Sequence, residues 1–360
     1  MSPHDVKFGD VDEWLSDDSD TAALVLRQYL VSVEGSDAVV FPPTYAIQDS
    51  ATGYNVDYFD DGFSVCQIDS VGSQANRIEP MFGRAKYKHL VPQVVVNAGD
   101  RHFSLLEVGH RAADAMVRYS ELESTFVEAF EAIRDRGDAL PMAKIAPTSL
   151  VFGVWDSRAT QVKLPRIVRS VIRANNVRVL TRSAQYGTKA GEILAGDGEV
   201  EVTTKGPKAK LGLAHVPATG THGGVQVIGE IRREAVLNLA PLCALAALPD
   251  GADEDTDGSA TTALRRYILG LALVSFTAQP ESALREGCVL VPDPDRPGKC
   301  ERVTHDGTHE SFDLSHEDAL AYATAGAEAF GVGLDLSGDF ERDRAQRALE
   351  EESKKKEKAK

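Results

Sequence analysis

The chain has 360 residues, of which 42% are hydrophobic and 26% charged, and its formal net charge at pH 7 is −16. These proportions fit a folded globular protein of one large or two small domains, and no apolar run approaches the roughly 20 residues a membrane helix needs. Cys66, Cys243, Cys288 and Cys300 are too scattered for a zinc-ligand pair or a disulfide framework, and the acidic start Met1-Ser2-Pro3-His4-Asp5 is unlike a signal peptide. The expectation is a cytoplasmic protein with no membrane partner, no metal and no cofactor.

Net acidity at first argues against a nucleic-acid partner, but the charge is unevenly placed. Residues 1–76 hold 2 basic and 14 acidic side chains, whereas residues 77–182 hold 17 basic and 11 acidic. Surface charges more than roughly 8 Å apart are screened at physiological salt, so a local basic strip remains compatible with RNA.

In chain order, residues 22–34 alternate loosely between apolar and polar and predict a long first strand. Residues 53–62 read as a loop or hairpin carrying Asp57, Asp60 and Asp61, followed by a strand–helix unit over 63–79. Strands over 93–97 and 102–106 are joined by the turn Asn97-Ala98-Gly99-Asp100. Residues 109–136 read as helical with a break near Ser120. A strand over 149–155, a helix over 164–175 and a strand over 177–182 follow.

Nine glycines then punctuate 184–224, and Lys205, Lys208 and Lys210 cluster there, which predicts a projecting insertion. Beyond it lie a strand pattern over 225–237, an acidic loop over 250–258, an apolar helix over 260–276, a late strand over 287–292 and a helix over 315–330 capped by Ser315. The charged segment 341–360 reads as a disordered tail.

Two blocks suggest chemistry. Asp69-Ser70-Val71-Gly72-Ser73-Gln74-Ala75-Asn76-Arg77-Ile78-Glu79-Pro80 places Val71, Ala75 and Ile78 on one buried face, with Ser73 and Arg77 opposite and Gln74 and Asn76 flanking. A Ser/Gly-rich helix start followed by an arginine suits a phosphate, although capping alone also accounts for it. Asp69, unwelcome beside phosphate, is expected to orient Ser73 or an arginine. The second block is the helix expected over 164–175. On a helical wheel Lys163, Arg166, Arg169 and Arg173 share an arc without an acid, opposite Leu164, Ile167, Val168, Val171 and Ile172. Arg158 is a further contact candidate, while Trp155, which could stack on a base, closes an apolar strand and is expected in the core.

The blocks IDSVGSQANRIEP, LLEVGHRAADA (105–115) and PTSLVFGVWDSRATQVKLPRIVRSVIRA (147–174), with FPPTYA (41–46) and LREGCVLVPD (284–293), resemble those of the CRISPR backbone subunit of type I-G (formerly I-U) Cascade, within the RAMP superfamily. The resemblance implies an α+β, ferredoxin-like (RNA-recognition-motif-like) core with long insertions: a palm formed by 1–183 and 225–335, with a helical insertion at 109–137, and a thumb-like β-hairpin at 184–224. Leu211 or Leu213 would supply a base-displacing wedge at the hairpin tip. It further implies a non-catalytic subunit, several copies of which coat CRISPR RNA and present it to target DNA. The other partners would be copies of itself, the large subunit and the subunit that caps or processes the guide end. The RNA contacts expected are Ser70, Ser73, Gln74, Asn76, Arg77, Arg158, Lys163, Arg166, Arg169, Arg173, Lys205, Lys208 and Lys210.

Two alternatives stay open: a RAMP-type endonuclease that processes CRISPR RNA, and a protein scaffold that does not touch RNA. No nucleophile elbow, phosphate-binding loop or dinucleotide fingerprint is present. The cluster His305, His309, Glu310 and His316 has non-helical spacing in a turn-rich stretch and reads as a polar surface loop. The aromatic octamer of an ordinary RNA-recognition motif is also missing, so binding is expected to be phosphate-led and tolerant of sequence.

Overall fold

The computed structural model describes residues 11–16, 18–47, 50–248, 255, 258–279 and 282–358. The acidic loop expected over 250–258 lies outside them except for Asp255 and Gly258.

The elements that position the site are, in order, β1 (Thr21–Ser32), β2 (Val56–Tyr58), β3 (Ser64–Asp69), α1 (Val71–Ile78), α2 (Glu123–Arg136), α3 (Pro147–Phe152), β4 (Val154–Trp155), β5 (Lys163–Leu164), β6 (Val168–Asn175), β7 (Val177–Tyr186), β8 (Val216–Val227), β9 (Ile231–Asn238), α4 (Ser259–Thr277), β10 (Cys288–Pro292), β11 (Lys299–Thr304), α5 (His316–Phe330) and α6 (Arg342–Lys358). In the main sheet β1 lies between β9 on one side and β10 and β11 on the other, and β9 is followed by β6, β3 and β2. Every one of these pairings is antiparallel.

Taken as first, second, third and fourth strands, β1, β6, β9 and β10/β11 stand in the order four-one-three-two. β1 and β6 run in the same direction with β9 between them, which is the split βαβ arrangement of a ferredoxin-like fold. The fold is α+β, with the ferredoxin-like core interrupted by long insertions.

Helix α4 is apolar all round and buried from Tyr267 to Phe276, as expected of a central helix. It covers one face of the sheet and packs on α5. They approach closely at Gly270, where an added Cβ would lie 2.7 Å from the Ala323 Cα. One turn away the Tyr267 ring stacks on Phe330 at 4.5 Å, and its hydroxyl donates to the Leu90 carbonyl. Arg233, on the sheet face toward α4, is buried and donates to the Phe276 and Ala278 carbonyls at the end of that helix, satisfying acceptors the helix itself leaves unpaired. Burial pushes the Arg233 guanidinium down to about 10.

The strand expected over 22–34, the hairpin through Asn97-Ala98-Gly99-Asp100 and the helix capped by Ser315 are all present, with Gly99 at φ +62° and Ser315 accepting from the Asp318 amide. The break near Ser120 is present too: its backbone bridges to Phe340, and α2 starts only at Glu123.

Three expectations are corrected. Residues 164–175 form β5 and β6, not a helix. The β-branched Ile167, Val168, Val171 and Ile172 are stiff and fit a pleated strand better than a helix. Residues 149–155 are not a strand: Pro147 opens α3, and Gly153 (φ +76°) ends it before the two-residue β4. Finally, the tail continues as helix α6 to Lys358, with Arg344 paired to Glu123 and to Glu341.

Substituting Gly270→Ala would ordinarily favour a helix by up to about 1 kcal/mol. Here the methyl meets backbone, so a net loss of about 1–3 kcal/mol is expected, measured by chemical denaturation.

Candidate nucleic-acid interface

Helix α1 forms as the sequence indicates, but much of its polar surface is committed internally. Ser70 caps it by accepting from the Ser73 amide at 3.1 Å, and the two hydroxyls are 3.0 Å apart. Gln74 is fully buried. Its amide donates to Asp69 at 2.7 Å and its carbonyl accepts from the Ser170 hydroxyl at 2.9 Å, tying α1 to β6. This removes Gln74 from any surface contact, because both of its polar atoms are already engaged. Arg77 is half-buried, ion-paired with Asp69 at 3.1 Å and donating to the Leu284 carbonyl. Asp69 therefore does orient an arginine, and Arg285 reaches its other oxygen at 3.5 Å.

The three long blocks meet at Arg111, which sequence reasoning did not single out. It is 4% exposed and sits at φ +51° in the turn before Asp114. Its Nε pairs with Glu79 at 2.7 Å, other guanidinium nitrogens donate to Asn76 Oδ1 and the Gly153 carbonyl, and the group lies over the Phe152 ring. Burial pushes the Glu79 carboxyl up to about 7 against the opposing pull of Arg111 and Thr148. Arg166 stands close by: an added Cβ on Gly153 would lie 2.9 Å from its Cγ. Partial burial and the charge of Arg111 hold the Arg166 guanidinium below its usual value. No local pattern marks a non-glycine residue in the left-handed region, so only the assembled fold reveals Arg111.

Reading 168–175 as a strand redistributes its cations. Val168, Ser170, Ile172 and Ala174 face α4, while Arg169, Val171 and Arg173 lie on the opposite face. Cross-strand register sets Arg169 beside Val236, and Arg173 beside Arg232. It also sets Arg27 of β1 beside Glu234, and Lys299 beside Arg27. Arg173 pairs with Glu234 at 3.4 Å, and Arg232 with Glu230 and Glu234. Arg27, Arg169 and Lys299 are exposed and have no ion-pair partner among the described residues. Period-two spacing would have exposed Arg27 and Lys299 as candidates once β6 was read as a strand.

The β4–β5 hairpin carries the next group. Asp156 is buried and accepts from the amides of Arg158, Ala159 and Thr160 and from the Thr160 hydroxyl, with Arg118 at 3.5 Å. Burial alone would raise this carboxyl, but the hydrogen bonds outweigh it and the carboxyl titrates below its usual range. Arg158 and Lys163 are exposed. Trp155, expected in the core, is instead 58% exposed.

Strands β7 and β8 pair with each other, and β8 also with Val39–Val40, but the segment expected as a β-hairpin is strand only at its two ends: between Tyr186 and Val216 it holds the short helices Lys189–Ala195 and Pro207–Lys210. No residue of 184–224 belongs to either hydrophobic core cluster of the described residues. Lys205, Lys208 and Lys210 are exposed, Lys208 lying 3.4 Å from Glu201. Of the two wedge candidates Leu211 is 71% exposed and Leu213 half-buried.

Elsewhere His316 shares hydrogen bonds with Tyr87 and Thr277, and His309 lies beside Glu301. Among the described residues no group of three or more His, Cys, Asp or Glu is placed to hold a metal ion, and no helix is long and apolar enough to cross a membrane.

A family model described as CRISPR-associated protein GSU0053 matches residues 24–179. That span runs from β1 into β7 and includes every residue around Arg111. The similarity supports a CRISPR-associated protein. No curated protein matches the chain.

Arg111→Met would strand Glu79 as an unpaired buried carboxylate, a loss of about 3–5 kcal/mol. Because the folded-state value of Glu79 lies above its unfolded value of 4.5, its stabilising contribution is full below pH 4.5 and is lost as pH rises through about 7. Thermal melts are expected to show the deficit of Arg111→Met shrinking toward pH 4.5, and a flatter pH dependence in Arg111→Met/Glu79→Gln.

Proposed function

We propose that this protein is a non-catalytic CRISPR RNA-binding backbone subunit of a type I-G Cascade complex. Several copies coat the guide and present its bases to target DNA, alongside the large subunit and the guide-end subunit. The observation that carries the reading is the set of exposed cations Arg27, Arg169 and Lys299, without an ion pair among the described residues, on the sheet face turned away from α4, in a chain whose net charge is −16. Arg27 has Glu234 across the ladder but forms no ion pair with it; exposed cations outside any ion pair on so acidic a protein favour an anionic partner. Arg173, with Glu234 beside it, contributes less. Arg158, Lys163 and Arg166 on and beside the β4–β5 hairpin, and Lys205, Lys208 and Lys210 between β7 and β8, are further cations for an anionic partner. Ser70, Ser73, Asn76 and Arg77 belong to α1, which is tied to the α4 side of the sheet through Gln74 and Ser170, and contribute less.

Contacts of this kind hold phosphates and leave base edges unread, which suits a carrier whose guide does the reading. The chain's role is then to bind, and incubation with precursor RNA is expected to leave that RNA uncut.

Removing three phosphate contacts with Arg27→Ala/Arg169→Ala/Lys299→Ala should reduce the log–log salt slope of single-stranded RNA binding by about 2, at roughly 0.7 per contact. An unchanged slope and affinity would remove the proposed surface. In a second test, replacing residues 187–215 by a short Gly-Ser turn is expected to preserve cooperative unfolding. It should abolish the even spacing of nuclease-protected fragments along a bound guide. Aggregation of that variant would show the segment to be part of the core.

A further inference from the structure

We propose that Trp155 is a stacking platform for an RNA base, a contact that deepens the RNA-binding reading above and rests on it. Strand β4 alternates Val154 inward and Trp155 outward, and Val154 is buried while the indole is 58% exposed. An indole left in water forgoes the burial that normally holds a large aromatic inside. Its surroundings indicate what covers it. Lys163 lies directly across the β4–β5 ladder and places its ammonium 5.7 Å from the ring centroid. Arg158 is exposed on the connecting loop, and Arg166 stands against Gly153, two residues before the indole.

The one acid of this hairpin, Asp156, is turned inward and occupied by the loop's own amides and Thr160. The outward side chains of the hairpin therefore offer an aromatic ring with Lys163 against it and Arg158 on the loop, and no acid of the hairpin's own. Single-stranded nucleic acid is held by that combination: cations along the backbone, and planar rings on which any base can stack. A protein partner covering the same indole would have to be acidic. The chain has acidic surfaces of its own, so contact between copies is the competing occupant and is tested below.

The chain has two tryptophans. Trp14 is buried and packs edge-on against Phe312, so quenching of the exposed indole reports on Trp155. Oligoadenylate is expected to quench this fluorescence in the wild-type protein, and an abasic oligomer of equal length is expected to bind without quenching. Trp155→Ala should weaken oligoadenylate binding by roughly 5- to 150-fold, the range for loss of one base–aromatic stack, while leaving the salt slope and abasic binding unchanged; Trp155→Phe should retain most of the affinity. Wild-type binding without quenching, together with an unaffected Trp155→Ala, would overturn the platform and leave phosphate-led binding intact. Absence of any RNA binding by the wild type would instead overturn the reading beneath it. A drop in the RNA-free assembly mass of Trp155→Ala with unchanged RNA affinity would assign the indole to contact between copies and also overturn the proposal.

Discussion

The buried carboxylate of Asp69 is the constraint on which the rest of this fold depends. A charge removed from water is tolerated only when donors surround it, and here they come from three parts of the chain: the Gln74 amide one turn into α1, Arg77 at the end of that helix, and Arg285 from beyond α4. The chain of donors continues outward. Gln74 accepts from Ser170, and Ser170 accepts from Arg233, whose remaining donors close the end of α4. One connected set of hydrogen bonds thus fixes α1 against β6, β6 against β9, and the central helix against the sheet. Gln74 and Arg77 both bond one oxygen of Asp69 and leave the other to Arg285 at 3.5 Å, so they serve position before they can serve a ligand.

The acidic composition of the chain is compatible with exposed cations because the acids on that sheet face are engaged with other arginines, Glu234 with Arg173 and Arg232. Ion pairs absorb Arg173, Arg232, Arg296 and Arg302, while Arg27, Arg169 and Lys299 form no ion pair among the described residues. Repulsion from acidic surfaces elsewhere discourages adventitious binding, and screening keeps it from reaching that face at physiological salt. The β4–β5 hairpin applies the same rule on a smaller scale, turning its single acid inward and leaving its cations outside.

Much of the fold was legible in the sequence where period and punctuation agree. The long first strand, the Asn97–Asp100 turn, the Ser315 cap and the apolar α4 each carry a local signal that survives in the structure. The failures have separate physical causes. Residues 164–175 fit a helical wheel because apolar residues at adjacent positions satisfy both periods, and β-branching was the information that separated them. Trp155 was assigned by its apolar neighbours, although α3 ends at Gly153 and the alternation of β4 turns the indole outward. Arg111 was beyond reach because its importance lies in what it joins: Asn76, Glu79 and Gly153 become its neighbours only through tertiary contacts, which no window of sequence contains.

Strand β1 carries one more consequence. The family match spans 24–179, yet all three strands that flank β1, namely β9, β10 and β11, lie after it in the chain. A ribosome that had released only the matched portion would hold a long ribbon with both hydrogen-bonding margins bare, an invitation to self-association. Completion of the main sheet waits for the last third of the polypeptide, so the matched portion of the molecule is poorly able to close on itself.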